Sequence, residues 1–153
     1  MNEVFDNIKS INKMGERIRN YLEIFGNDEQ IANVCKYIAG KDEEGKALVI
    51  DFNTIEPIPE ELKNTNDWEW AYKNWGSRRN AHNLFDDEEN LNYYKNGNIC
   101  FITVNGNALE LICKLSNIFP DVGFLYHFDI DIITTCKKII VNGEIIASKE
   151  MEG

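Results

Sequence analysis

Residues 20–40, NYLEIFGNDEQIANVCKYIAG, contain the strand and the capped helix from which the fold of this chain is predicted. NYLEIF is typical of a strand, and Gly26 ends it. Asn27 then predicts a helix N-cap, with Gln30 at the capping-box position three residues later. Apolar residues follow at helical spacing until Gly40 closes the helix. These are Ile31, Val34, Cys35 and Ile38.

A second strand–helix–strand unit is predicted in residues 98–130. Asn107 predicts the N-cap of its helix, Glu110 stands at the capping-box position, and Pro120 follows the helix end. The last strand alternates, which is typical of a sheet with one buried face. One face is expected to carry Val122, Phe124, Tyr126, Phe128 and Ile130, and the other Leu125, His127 and Asp129.

Two Asn-Gly pairs predict β-hairpins in the second half of the chain. Asn96-Gly97 separates LNYYK from NICFITV, and Asn142-Gly143 separates CKKIIV from EIIASK. Strand–helix units combined with hairpins predict one α+β domain, a ferredoxin-like mixed or antiparallel sheet with two helices on one face. Residues 18–153 are expected to form this domain, with the last hairpin as an extension. Residues 1–17 are expected to be an N-terminal helical extension, with a short amphipathic helix in residues 3–14.

The composition is that of one folded domain. The chain has 153 residues, a formal net charge of −10 and 43% hydrophobic residues. No apolar run approaches the roughly 18 residues that span a bilayer, and the N-terminus lacks the apolar core of a signal peptide. We therefore expect a cytoplasmic protein without a membrane partner.

Acidic residues cluster at positions 42–44, 60–61 and 86–89. Solvated loops explain such clusters most simply. The alternative is an acidic surface for a basic protein partner, which would include Asp86, Asp87, Glu88 and Glu89. Direct binding of DNA or RNA is disfavoured, because phosphates require a basic stripe and the sequence contains none.

No pattern of residues predicts a catalytic, cofactor or metal site. The four cysteines have neither CxxC nor Cys/His metal spacing, and Cys35 and Cys100 are expected to be small buried thiols. Asp129 lies two residues after His127, but a sheet face covered by the N-terminal helix or by the C-terminal hairpin is favoured over an acid–base or cation site. Asp51 and Asn53 supply two oxygen ligands without a partner cluster. The sequence therefore favours a protein that is not an enzyme.

The segment WEWAYKNW, residues 68–75, predicts a helix with three aromatic residues on one face. Gly76 is placed to end this helix in a left-handed conformation. The Arg-Arg pair of the chain follows beyond the negative end of the helix dipole. Because Trp and Arg are enriched in interface hot spots, the candidate partner-binding residues are Trp75, Arg78 and Arg79.

A structural alternative exists for the same three residues. Trp75 packs under the sheet in this interpretation, and the two arginines form surface ion pairs with residues 86–89, which contribute little to stability.

Four segments in order resemble one known family: residues 20–40 above, IDFNTIEPIPEEL, WAYKNWGSRRNAHNL and NIFPDVGFLYHFD. The family is the YubB-like ferredoxin-like domain of phage and conjugative-plasmid proteins, and the resemblance spans residues 18–130. Two departures are the N-terminal extension in place of a Trp-Cys motif, and residues 103–107, which replace an aromatic segment before the second helix.

The resemblance supplies no catalytic residues and implies a mobile-element accessory protein, for which counteracting host defence is a frequent role. We therefore expect a non-enzymatic phage or plasmid protein that binds a host protein or defence complex through an acidic surface and needs no cofactor. The alternatives are a small-ligand or nucleic-acid binding module at the Trp75, Arg78 and Arg79 edge, and an uncharacterised enzyme.

Overall fold

The computed structural model describes residues 16–65, 67–84 and 94–152. These residues form the predicted mixed α+β fold, with four α-helices and a six-stranded sheet. The helices are α1 (Asp28–Ile38), α2 (Phe52–Ile55), α3 (Trp68–Trp75) and α4 (Leu109–Ile118). The strands are β1 (Arg17–Phe25), β2 (Gly40–Lys41), β3 (Ala47–Leu48), β4 (His82–Asn83), β5 (Asn98–Val104), β6 (Gly123–Asp129), β7 (Thr134–Val141) and β8 (Glu144–Glu152).

The six-stranded sheet has the order β4-β5-β1-β6-β7-β8, and neighbouring strands are antiparallel. Leu22 in β1 lies opposite Ile99 in β5 on one side and Tyr126 in β6 on the other. Side chains of a strand alternate between faces, and one face of this sheet is buried in the hydrophobic core. Helices α1 and α4 contribute to the same core through Val34, Ile38, Leu111, Ile112 and Leu115.

The start of α1 confirms the predicted capping box. The amide N–H of Gln30 donates to Oδ1 of Asn27 at 2.8 Å, and the amide N–H of Asn27 donates to Oε1 of Gln30 at 2.9 Å. Gly40 directly follows the C-cap Ala39, as predicted, but it begins β2 and does not have the positive φ of a glycine that closes a helix. Gly40 has a different reason to be glycine: a Cβ there would overlap the Asp51 carboxylate.

The second unit confirms the predicted helix and its end before Pro120 but corrects its N-cap. The N-cap of α4 is Ala108, so the predicted cap, Asn107, lies one residue before it. The side chain of Asn107 accepts a hydrogen bond from the amide of Leu109, the first residue of the helix, at 2.9 Å. Strand β6 alternates as predicted up to Asp129. Ile130 lies beyond the strand end and is 45% exposed, so its predicted place on the buried face is wrong.

One predicted hairpin is confirmed and the other is wrong. Asn142 and Gly143 both have positive φ, 49° and 77°, and join β7 to β8, so the C-terminal hairpin forms. Tyr94 and Lys95 are helical rather than extended, so no strand precedes the Asn96-Gly97 turn in the described part of LNYYK. Strand β5 pairs instead with β1 and β4.

Two predictions fall on residues outside the described part of the chain. These are the N-terminal helix and the acidic cluster of Asp86, Asp87, Glu88 and Glu89. None of the described helices is long and apolar enough to cross a bilayer.

Candidate binding cleft

A cleft of about 750 Å³ brings the predicted residues Trp75, Arg78 and Arg79 together. Helix α3 and the segment after it form one wall. The β2–β3 hairpin, residues 53–65 and Val104 of β5 line the other sides, and Lys41 and Lys63 are among these residues. The volume lies within the roughly 300–1,000 Å³ of small-molecule sites, so the sequence-predicted edge is a concave site.

Trp75 is part of the core as well as of the cleft wall. It is 5% exposed, and its indole N–H donates to the backbone carbonyl of Glu56 at 2.8 Å. Its ring packs edge-on against Phe52 at a centroid distance of 5.8 Å. Gly76 ends α3 with φ of 77°, the predicted left-handed conformation. The prediction of a buried Trp75 is thus confirmed, and its role in the cleft is to shape the wall.

Two asparagines that the sequence analysis did not single out hold this wall in place. Asn80 accepts from the amide of Phe52 at 2.8 Å and donates to Asp51 at 2.8 Å. Asn83 accepts from the amide of Ile50 at 2.9 Å and donates to its carbonyl at 3.0 Å. Asparagine is common in turns, so the sequence gives no signal that separates these bridging amides from ordinary turn residues.

Asp51 and Asn53, considered above as metal ligands, serve the backbone instead. Asp51 is buried and caps α2 by accepting from the amide of Asn53 at 3.0 Å. Asn53 accepts from the amide of Ile58 at 3.2 Å. Within residues 16–65, 67–84 and 94–152, no three His, Cys, Asp or Glu side chains are grouped to hold a metal ion.

The two arginines differ in their surroundings. The backbone N–H of Arg78 donates to the carbonyl of Val104 at 2.9 Å, and its guanidinium lies 4.5 Å above the ring of Trp68. Arg79 is exposed. No carboxylate of the described residues forms an ion pair with either guanidinium. Their predicted pairing with residues 86–89 involves side chains outside the described part.

The described lining of the cleft carries four cationic side chains against three carboxylates, in a chain whose net charge is −10. Two of those carboxylates are already engaged. Asp42 accepts from the amides of Glu44 and Lys46 at 2.9 and 2.8 Å, and Asp67 caps α3 by accepting from Trp70 at 3.0 Å. The described lining therefore carries one more positive than negative charge, and among its cations Lys63 is paired with Glu60.

The other candidate groups lie away from this cleft. His127 stacks on Tyr21 on the opposite sheet face, with 4.5 Å between the ring centroids. The pKa of His127 is lowered, first by burial and then by the nearby Lys137, and Asp129 only partly opposes this shift. The prediction that the C-terminal hairpin covers that face is wrong, because β7 and β8 are strands of the same sheet and pair beside β6.

Cys35 and Cys100, which were predicted to be buried, are only partly buried, and Cys100 alternates with the buried positions Ile99 and Phe101 of β5. Burial raises the pKa of Cys35, Cys100 and Cys113, which favours the unreactive thiol form. Cys136 is buried.

Comparison with protein-family models, with curated proteins and with solved structures gives no match for this chain.

Proposed function

We propose that this chain is a non-enzymatic binding module and that its binding site is the cleft beside α3. The observation that carries this proposal is the convergence of Arg78 and Arg79 with Lys41 on one concave surface. Guanidinium groups that have no carboxylate partner among the described residues favour an anionic group on the ligand, because charge-assisted hydrogen bonds are the stronger ones.

The engagement of the polar lining supports binding rather than acid–base chemistry. A catalytic acid or base needs a free atom within hydrogen-bond reach of the reacting group. Asp42 and Asp67 are committed to backbone amides, and Asn53 and Asn80 to the wall itself. What the described lining offers to a ligand is its cations and ring surface, together with the exposed carboxylate of Glu43 at the rim.

We infer that the domain is ferredoxin-like and related to the YubB-like family. The strand order supports the inference, since β5, α4 and β6 form a split βαβ unit with β1 inserted between its strands. The two quoted segments IDFN and WGSRRN meet at Asp51 and Asn80. A shared cleft wall is a physical reason for these segments to occur together.

Removing the exposed arginine tests the proposed function. In the Arg79→Ala variant we expect the affinity for inorganic pyrophosphate, measured by NMR titration of the full chain, to fall by at least about tenfold, which corresponds to about 1.4 kcal/mol. Hydrogen bonds to charged groups contribute about 1.5–3 kcal/mol.

The matched control is Lys73→Ala, which removes the same charge from an exposed position of α3 outside the cleft lining. Equal affinity of the two variants, or chemical-shift changes confined to the opposite sheet face, would contradict the cleft as the site.

A second candidate function is binding of a host protein, as for an anti-defence protein of a phage or plasmid acting in the host cytoplasm. The observation that favours it is the exposed pair Glu43 and Glu44 at the turn between β2 and β3, with Glu43 on the rim of the cleft. Acidic surfaces accelerate association with basic partners more than they slow dissociation.

Neutralising that pair tests the second candidate. With a protein partner captured from host lysate, we expect Glu43→Gln/Glu44→Gln to slow association and to flatten its salt dependence, because salt screens such fields over about 8 Å. Asp42 stays unchanged, since it holds the turn. The control is Glu150→Gln/Glu152→Gln on exposed β8.

The same experiment with Asp86, Asp87, Glu88 and Glu89 neutralised together tests the predicted cluster outside the described residues. Unchanged association rates and salt slopes in both acidic variants would leave no role for an acidic surface.

A further inference from the structure

From the cleft lining we infer that the ligand is a small nucleoside phosphate, bound by its planar ring and its anionic group, and that the cleft discriminates weakly between bases. This inference rests on the proposed function of the cleft. It adds the chemical class of the ligand and the basis of its selectivity.

The ring surface of the cleft is the Trp68–Arg78 pair. Trp68 is 48% exposed and lines the cleft, and Arg78 lies over its ring with the guanidinium carbon 4.5 Å from the centroid. Nucleobases stack on aromatic rings and on the planes of Arg guanidinium groups. Such stacking accepts every base, because every base has a π-face.

The anionic group has three cations within the same lining. Arg79 and Lys41 are exposed, and Lys63 forms an ion pair with Glu60 at 2.6 Å. That pair is solvent-exposed on both sides, with 51% and 84% of the side chains accessible, so it holds Lys63 only weakly. A phosphate placed beside the Trp68–Arg78 pair therefore meets positive charge.

The two side-chain amides of the described lining, Asn53 and Asn80, are already engaged by the fold. Asn80 accepts from the amides of both Phe52 and Ala81, and Asn53 accepts from Ile58 and donates to Asp51. Base discrimination depends on hydrogen bonds to the base edge. With these amides committed, ring stacking and charge remain, and neither distinguishes adenine from uracil strongly.

The acidic rim favours a small ligand over a polynucleotide. Asp42 and Glu43 line the cleft, and Glu44 is exposed next to them. A phosphate chain that runs out of the cleft past this hairpin meets like charge, and the chain's net charge of −10 opposes a polyanion at long range.

Titration of the full chain with AMP, UMP, adenosine and inorganic phosphate tests the inference. We expect AMP and UMP to bind with affinities within about threefold of each other, and adenosine and phosphate each to bind at least about tenfold more weakly, since each retains only half of the recognition.

Two variants of exposed aromatic residues on α3 test the ring surface. Trp68→Ala is expected to weaken AMP at least about tenfold and to leave inorganic phosphate unchanged within about twofold. Tyr72→Ala is the control, since Tyr72 is 49% exposed on the same helix and does not line the cleft. Trp68→Phe keeps a ring and is expected to recover most of the AMP affinity, which excludes misfolding as the cause.

Three outcomes overturn the inference. Equal affinities of AMP and phosphate would refute the ring site, but the cleft would still bind anions and the proposed function would stand. If no probe bound, pyrophosphate included, both the inferred ligand class and the proposed function of the cleft would be refuted. A ten-nucleotide single-stranded DNA that binds more tightly than AMP would exclude a small-ligand site.

Discussion

Replacing Trp75 by alanine is expected to lower the free energy of unfolding by about 3–5 kcal/mol, the cost of truncating a large buried aromatic side chain. A typical domain is held by roughly 5–15 kcal/mol. This single change therefore removes a large part of the stability of the protein.

The expected size follows from the contacts of the indole. Trp75 packs edge-on against Phe52 at 5.8 Å and against Trp70 at 5.2 Å between ring centroids. Phe52 in turn packs against Phe101 of β5 at 5.8 Å, so the cavity would open between the cleft wall and the sheet. Truncation also leaves the carbonyl of Glu56 without the indole N–H at 2.8 Å.

Urea unfolding followed by circular dichroism measures this loss. Trp68→Ala is the control from the same helix, where 48% exposure limits the expected loss to about 1 kcal/mol, the value of an exposed cation–π contact. If Trp75→Ala and Trp68→Ala lost similar stability, Trp75 would not belong to the core, and it would return as a candidate contact residue.

The parts of the fold that were predicted correctly are those whose signal is local. Asn27 and Gln30 form the capping box three residues apart, and the Asn142-Gly143 pair sets its own turn. Asn96-Gly97 carries the same local signal as the second pair, yet Gly97 accepts from the amide of Ile24 in β1. There the long-range contact with the sheet overrides the hairpin preference.

The cleft was predicted only in part for the same physical reason. Trp75, Arg78 and Arg79 lie close together in the sequence, and Trp and Arg are residue types that are enriched in binding sites. Lys41 and Lys63 join them only because Asn80 and Asn83 tie residues 50–52 to the segment after α3. Side-chain hydrogen bonds between distant segments produce no periodic pattern in the sequence, so they cannot be predicted from it.

A polar network in the middle of the core went unpredicted as well, and it carries the second large effect. Asn20 and Thr103 are fully buried, and so is Tyr126. The Tyr126 hydroxyl donates to Oδ1 of Asn20 and accepts from the amide of Ala108 at 2.9 Å. Nδ2 of Asn20 donates to Oγ1 of Thr103 at 2.9 Å, so β1, β5, β6 and the start of α4 are joined.

Replacing Tyr126 by phenylalanine is expected to cost about 1–3 kcal/mol, because it leaves two buried groups, the Ala108 amide and Oδ1 of Asn20, without a partner. Burial raises the pKa of the Tyr126 phenol, so the hydroxyl stays protonated and the loss is expected to be the same at pH 6 and pH 8. Urea unfolding at both pH values measures it, with the exposed Tyr72→Phe as the control.

The network interpretation requires that its members depend on one another. Once Asn20 is alanine, the Tyr126 hydroxyl has lost its acceptor, so removing it then costs less than in the native chain. A double-mutant cycle of Asn20→Ala and Tyr126→Phe is therefore expected to give a summed loss larger than that of the double variant. Strict additivity, or a Tyr126→Phe loss no larger than that of Tyr72→Phe, would mean that the hydroxyl is not held as a link between β6, β1 and α4. The junction would then depend on apolar packing alone.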